Sequence, residues 1–197
     1  MIAAGKHYLD LIRLIQHCAA CGTATVIETW YLGEPVVIAM RKWAASNEAV
    51  ALQGCRAIRV CVLGDSYSCS QVIAAALTAW GPTSKGVALH GCIVVVHVIR
   101  TRYGNNASRL AEPDGKDTRP LMAAQFNRLG VCEVVTEVLK VWGPLDIDVA
   151  AAACEAIVEL ARSQECIAKF VQLGARRTIA ECTQNKMKQA AMRALSR

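Results

Sequence analysis

The sequence predicts an all-α protein, an α-solenoid made by stacking about four copies of one helical unit. Three observations carry this expectation. Composition is the first: 54% of the 197 residues are apolar, 19% are charged and only five are proline. Such a chain is too apolar to stay disordered, and at this length roughly 70% of its unfolded surface can be buried without disulfide or metal staples. The second is self-similarity. Val50-Ala51-Leu52-Gln53-Gly54-Cys55 returns as Val87-Ala88-Leu89-His90-Gly91-Cys92, and more faintly as Val149-Ala150-Ala151-Ala152-Ala153-Cys154. The third is spacing. Trp43, Trp80 and Trp142 each stand 12 residues before the cysteine of their copy, and they lie 37 and 62 residues apart. The larger gap reads as the same unit interrupted by about 25 extra residues.

Each copy reads as two helices joined by a turn. The first helix is expected at Val36–Ala45, Gln71–Trp80 and Cys132–Trp142, with apolar residues at helical spacing such as Val37 and Met40, Val72 and Leu77, Val135 and Leu139. Each ends at a breaker: Ser46-Asn47, Gly81-Pro82 or Gly143-Pro144. The second helix is expected over about Glu48–Leu63, Ser84–Arg100 and Asp146–Ser163. Gly or Ala before each cysteine lets a neighbouring helix come close. Further helices are expected at about Leu121–Leu129, before Gly130, and at Gln164–Leu173, before Gly174; glycine after a helix takes the left-handed conformation cheaply. The division that follows is a degenerate N-terminal cap at 1–33, units at 34–65 and 66–100, a loop at 101–120, and units at 121–163 and 164–197. The loop is rich in Gly, Asn, Asp and Pro and reads as either disordered or partner-binding.

The ten cysteines sit in apolar, helical contexts, and the first residues show no secretory signal. Reduced core thiols in the cytoplasm are therefore expected, rather than a disulfide framework. The longest apolar run, Val87–Ile99, falls short of the roughly 18–20 residues needed to span a membrane.

The residues capable of chemistry point away from catalysis. Cys18 and Cys21 form a Cys-x-x-Cys with no second pair, so zinc is not expected there. Cys132, Cys154, Cys166 and Cys182 fall on different helices and read as packing. His90 and His97 are seven apart on one helix, too far for the usual pair of ligands. Asp146 and Asp148 open a helix, where they stabilise its dipole. No phosphate loop, nucleophile elbow or metalloprotease signature occurs. The expectation is a protein without enzymatic activity, cofactor, bound metal or small-molecule substrate. The tryptophans are expected to stack in the core.

Gln164–Ala175 resembles the first helix and glycine turn of an armadillo repeat, and Val36–Val60 and Val149–Leu160 resemble its second and third helices. The resemblance covers about Glu34–Arg197 and implies a right-handed armadillo- or HEAT-like solenoid whose third helices line a groove for protein partners. The residues it places on that groove are Gln53, Arg56, His90, Ile93, His97, Glu155, Glu159, Arg193 and Arg197. Nuclear-import receptors of the family hold basic signals on Trp and Asn of the third helix. Those positions here are Arg56/Val60, Ile93/His97 and Glu155/Glu159, so that role is not expected. The implied partner is a protein or a larger assembly. An alternative follows from charge. Five of the chain's net +6 lies in Gly174–Arg197, where six Lys and Arg face Glu181 alone, and that end suits nucleic acid or another acidic surface.

Overall fold

The computed structural model describes residues 26–59, 66–100, 117–182 and 186–196. Among them are ten helices and no strand. These are α1 Val26–Trp43, α2 Glu48–Ile58, α3 Ser66–Trp80, α4 Lys85–Arg100, α5 Arg119–Arg128, α6 Val131–Trp142, α7 Ile147–Leu160, α8 Gln164–Gln172, α9 Ala175–Glu181 and α10 Lys186–Ala194. No helix among the described residues is long and apolar enough to cross a membrane.

The turns repeat atom by atom. Four residues after each tryptophan stands a capping residue: Asn47, Ser84 and Asp146. The Asn47 side chain accepts from Val50 N at 3.2 Å, Ser84 Oγ from Val87 N at 3.3 Å, and Asp146 Oδ1 from Val149 N at 3.0 Å. Each cap satisfies a backbone N–H that the first turn of a helix leaves without an intrahelical partner. This sets where α2, α4 and α7 begin. Lys85, next to one cap, also pairs with Asp146 of the following one.

The tryptophans link one unit to the next. Trp80 Nε1 donates to Ala44 O at 2.7 Å, and Trp142 Nε1 donates to Gly81 O at 3.0 Å. Each acceptor is the residue directly after the tryptophan of the preceding unit. The indoles are only partly buried against the core, instead of enclosed in it as expected, and those of Trp80 and Trp142 each hold a hydrogen bond to the preceding unit.

Helices of one kind contact their counterparts in chain order. Helix α2 packs on α4, α4 on α7, and α7 on α10. The preceding helices follow the same order, α1 on α3, α3 on α6, and α6 on α9, while α5 packs on α8. The core between these sets contains Val50, Ala57, Ile58, Val87, Val94, Val95, Ala156 and Ile157, all fully buried.

Glycine permits the closest approaches. A Cβ at Gly91 would lie 2.5 Å from Leu77 Cδ2, and one at Gly54 would overlap Met40 Cγ and Sδ. Gly130 and Gly174 take φ of 77° and 67°, which lets α5 turn into α6 and α8 into α9. A second period becomes visible here. Phe126 and Phe170 are fully buried, and each lies four residues before its glycine, so α5–α6 and α8–α9 repeat at 44 residues.

Three expectations are corrected. Helix α1 begins ten residues earlier than expected, at Val26, and runs through Pro35, so no break separates a cap ending at 33 from the first unit. Proline removes one backbone bond there without ending the helix. Helix α3 begins at Ser66, five residues before the Gln71 expected, because no Gly or Pro interrupts Ser66–Ser70. The long helices α2 and α7 also stop earlier than expected, at Ile58 and Leu160. The remaining cap, Met1 to 25, and the loop core, 101–116, lie outside the described residues.

Seven cysteines are described, all free and buried: Cys55, Cys69, Cys92, Cys132, Cys154, Cys166 and Cys182. Burial pushes the Cys55 and Cys92 thiols up to about 12. Cys132 and Cys166, from different helices, meet and share a hydrogen bond, and Cys166 Sγ also donates to Ala123 O at 3.2 Å. The Cys18-x-x-Cys21 pair lies outside the described residues.

Candidate partner-binding face

The face in question is built on α2, α4, α7 and α10. Their apolar positions turn inward at helical spacing, which leaves i, i+3 and i+7 positions on the other side. Arg56 and Arg193 are exposed, and Gln53, His90, Ile93, His97 and Glu155 are half-buried. Arg197 lies outside the described residues.

Between α2 and α4, Arg56 Nε donates to His90 Nε2 at 3.0 Å across 34 residues of sequence. That bond requires an unprotonated Nε2. Burial, followed by the charges of Arg56 and Arg59, lowers the His90 pKa from its usual 6.5. Burial and then Arg59 lower His97. Both imidazoles are therefore neutral at neutral pH, and Arg59 lies close enough to act on both.

Between α4 and α7 the expected pattern changes. Glu159 is 3% exposed instead of open to a partner. Its Oε1 accepts from Arg100 Nε at 2.9 Å and its Oε2 from Arg162 Nε at 2.6 Å. Burial works to raise its pKa, but hydrogen bonds from Arg162 and Arg100 hold it below the usual 4.5. Glu155 Oε1 pairs with Arg100 as well, at 2.7 Å. Two acids thus meet two arginines, and the negative charge expected from Glu155 and Glu159 on this face is cancelled locally. The correction has a physical cause: Arg100 ends α4 beside the buried acid of α7, a contact made only by helix packing.

The basic end is also partly occupied. Lys188 Nζ donates to Ala180 O at 2.8 Å and Cys182 O at 2.9 Å, which satisfies carbonyls at the end of α9. Arg177 pairs with Glu181 at 2.9 Å, and Arg176 donates to Ser196 Oγ.

Among the described residues, no group of three or more His, Cys, Asp or Glu could hold a metal ion. A shallow depression of about 480 Å³ lies on the α1–α3 side, lined by Ala45, Gln71, Ala74, Ala75, Thr78, Ala79 and Leu129. None of these side chains ionises near neutral pH, so its lining holds no titratable acid or base.

No protein-family model, curated protein or solved structure matches the chain.

The sequence reading missed Arg59, Arg100 and Arg162. Arg59 follows Arg56 by three residues, a signal that was present; the other two matter only through α4–α7 packing. The cap at the fourth residue after each tryptophan was also readable, and it marks the helix starts more sharply than Gly-Pro does.

Proposed function

We propose that this protein is an armadillo-type right-handed solenoid that binds a protein partner across the exposed face of α2, α4, α7 and α10, without chemistry of its own. The observation that carries this reading is the packing order, in which each long helix contacts the next and side chains at matched positions stay accessible beside it. A row of successive helix faces would present an extended surface of the kind stacked-repeat proteins use for partners. The 44-residue period of α5–α6 and α8–α9 supports the armadillo assignment, since it falls within the roughly 40–47 residues of such repeats. The test is a photo-activated cross-linking side chain placed at Ile93, on the proposed face, or at Ile38, on α1. The reading predicts a discrete cross-linked partner from Ile93 and none from Ile38. Equal labelling from both positions refutes it.

A further inference from the structure

The charges on the long-helix face do not balance evenly. Around α4 and α7, Arg100 and Arg162 are matched by Glu155 and Glu159. Around α2 and α4 no such match exists among the described residues. Arg56 is exposed and contacts a neutral imidazole, and Arg59, also exposed, closes α2 with its backbone N–H donating to Cys55 O and Ala57 O. The charged groups acting on His90 and His97 are these two arginines, with no acid among them. On the adjacent helix α7, Glu155 and Glu159 are engaged by Arg100. The result is a local excess of positive charge beside half-buried Ile93. His90 and His97, seven residues apart on one helix and uncharged, line the face beside it over about 10 Å at 1.5 Å per residue.

We propose that the part of the face between α2 and α4 is a docking site for an acidic peptide segment, whose carboxylates pair with Arg56 and Arg59 while its backbone lies along His90, Ile93 and His97. This deepens the partner-binding reading and rests on it. Guanidinium binds carboxylate through paired hydrogen bonds, a stronger and more directional contact than a point charge makes. With its Nε held by His90, Arg56 keeps its terminal nitrogens for a ligand. An extended chain rises roughly 3.3 Å per residue, so about three of its residues cover the roughly 10 Å from His90 to His97.

The experiment measures fluorescence anisotropy of a labelled peptide of alternating Glu and Gly against the purified full chain. Two further probes are a Lys-Gly peptide of the same length and a single-stranded oligonucleotide of matched charge. Salt is kept low, about 50 mM, because charge interactions are screened over about 8–10 Å at physiological ionic strength. The expected result is binding of the Glu peptide alone. Arg56→Glu with Arg59→Glu should weaken it about tenfold or more, chiefly through the association rate. The neutral pair Arg56→Gln with Arg59→Gln should weaken it less, and an unchanged melting temperature shows that each variant is folded. Arg176→Glu with Arg177→Glu makes the same charge change elsewhere and should leave affinity within about twofold. Equal weakening by both reversals overturns the proposal, because it means diffuse attraction. Equal binding of the oligonucleotide overturns it in favour of a general polyanion site. If the Glu peptide fails to bind while cross-linking from Ile93 still captures a partner, this inference fails and the wider reading stands. Failure of both removes both.

Discussion

Gly91 tests how closely the helices of one unit approach, because two opposing effects must be weighed there. Alanine in a helix interior is favoured over glycine by about 1 kcal/mol. Acting alone, Gly91→Ala would therefore stabilise α4. Against this, the new methyl would stand 2.5 Å from Leu77 Cδ2 and 2.8 Å from Leu77 Cγ, and Leu77 is itself fully buried. A branched side chain enclosed on all sides cannot withdraw, and overpacking of this kind costs about 1–3 kcal/mol. The net expectation is destabilisation by up to about 2 kcal/mol, or up to about 1 M in urea midpoint for an m-value near 2 kcal/mol/M. Gly54 is the matched control. Its methyl would meet Met40, whose unbranched chain has three rotatable bonds and can move aside. Met40 is also fully buried, so Gly54→Ala should be destabilising too, though by less than Gly91→Ala. Urea unfolding followed by circular dichroism measures both. A rise in midpoint for Gly91→Ala, matching the propensity gain, would refute the packing of α3 on α4 at this distance.

Two further outcomes are expected. Glu159→Ala leaves Arg100 and Arg162 facing each other without their acid and should cost about 2–4 kcal/mol, below the full figure for a buried pair because both arginines reach solvent; Glu159→Gln should cost less, and thermal melts decide. Acidity should also matter in a defined window. His90 and His97 titrate below 6.5 in the folded chain, so the unfolded chain takes up protons first; stability is retained above about pH 6.5 and falls as pH drops below it. The slope should be shallower in His90→Gln, whereas the contribution of Glu159 is lost only below its usual 4.5, which separates the two in a pH series of melts.

What could be read from the sequence was what local spacing determines. The starts of α2, α4 and α7 follow from caps and turns within a few residues, and the buried set from Val50 to Ile157 follows from helical period. Gly130 and Gly174 announced their left-handed turns. What could not be read depends on residues far apart in sequence. Glu159 is buried because Arg100, 59 residues earlier, ends beside it. Arg56 meets His90 across 34 residues. Each pair is made by one long helix packing on the next, and sequence spacing shows which side a residue faces but not which charge stands opposite. Helix α1 was misjudged for another reason: Pro35 signals a boundary by propensity, and the helix runs through it.

The account depends most on the joining of successive units through their tryptophans. Four indole N–H signals are expected from the four tryptophans, and nitrogen-15 labelling resolves them in a proton–nitrogen spectrum. Trp80→Phe and Trp142→Phe assign the two that bond to Ala44 O and Gly81 O. Both should exchange with deuterium orders of magnitude more slowly than free indole, since each is released only when neighbouring units separate. Exchange of both at the rate of free indole would contradict the stacking of units described here.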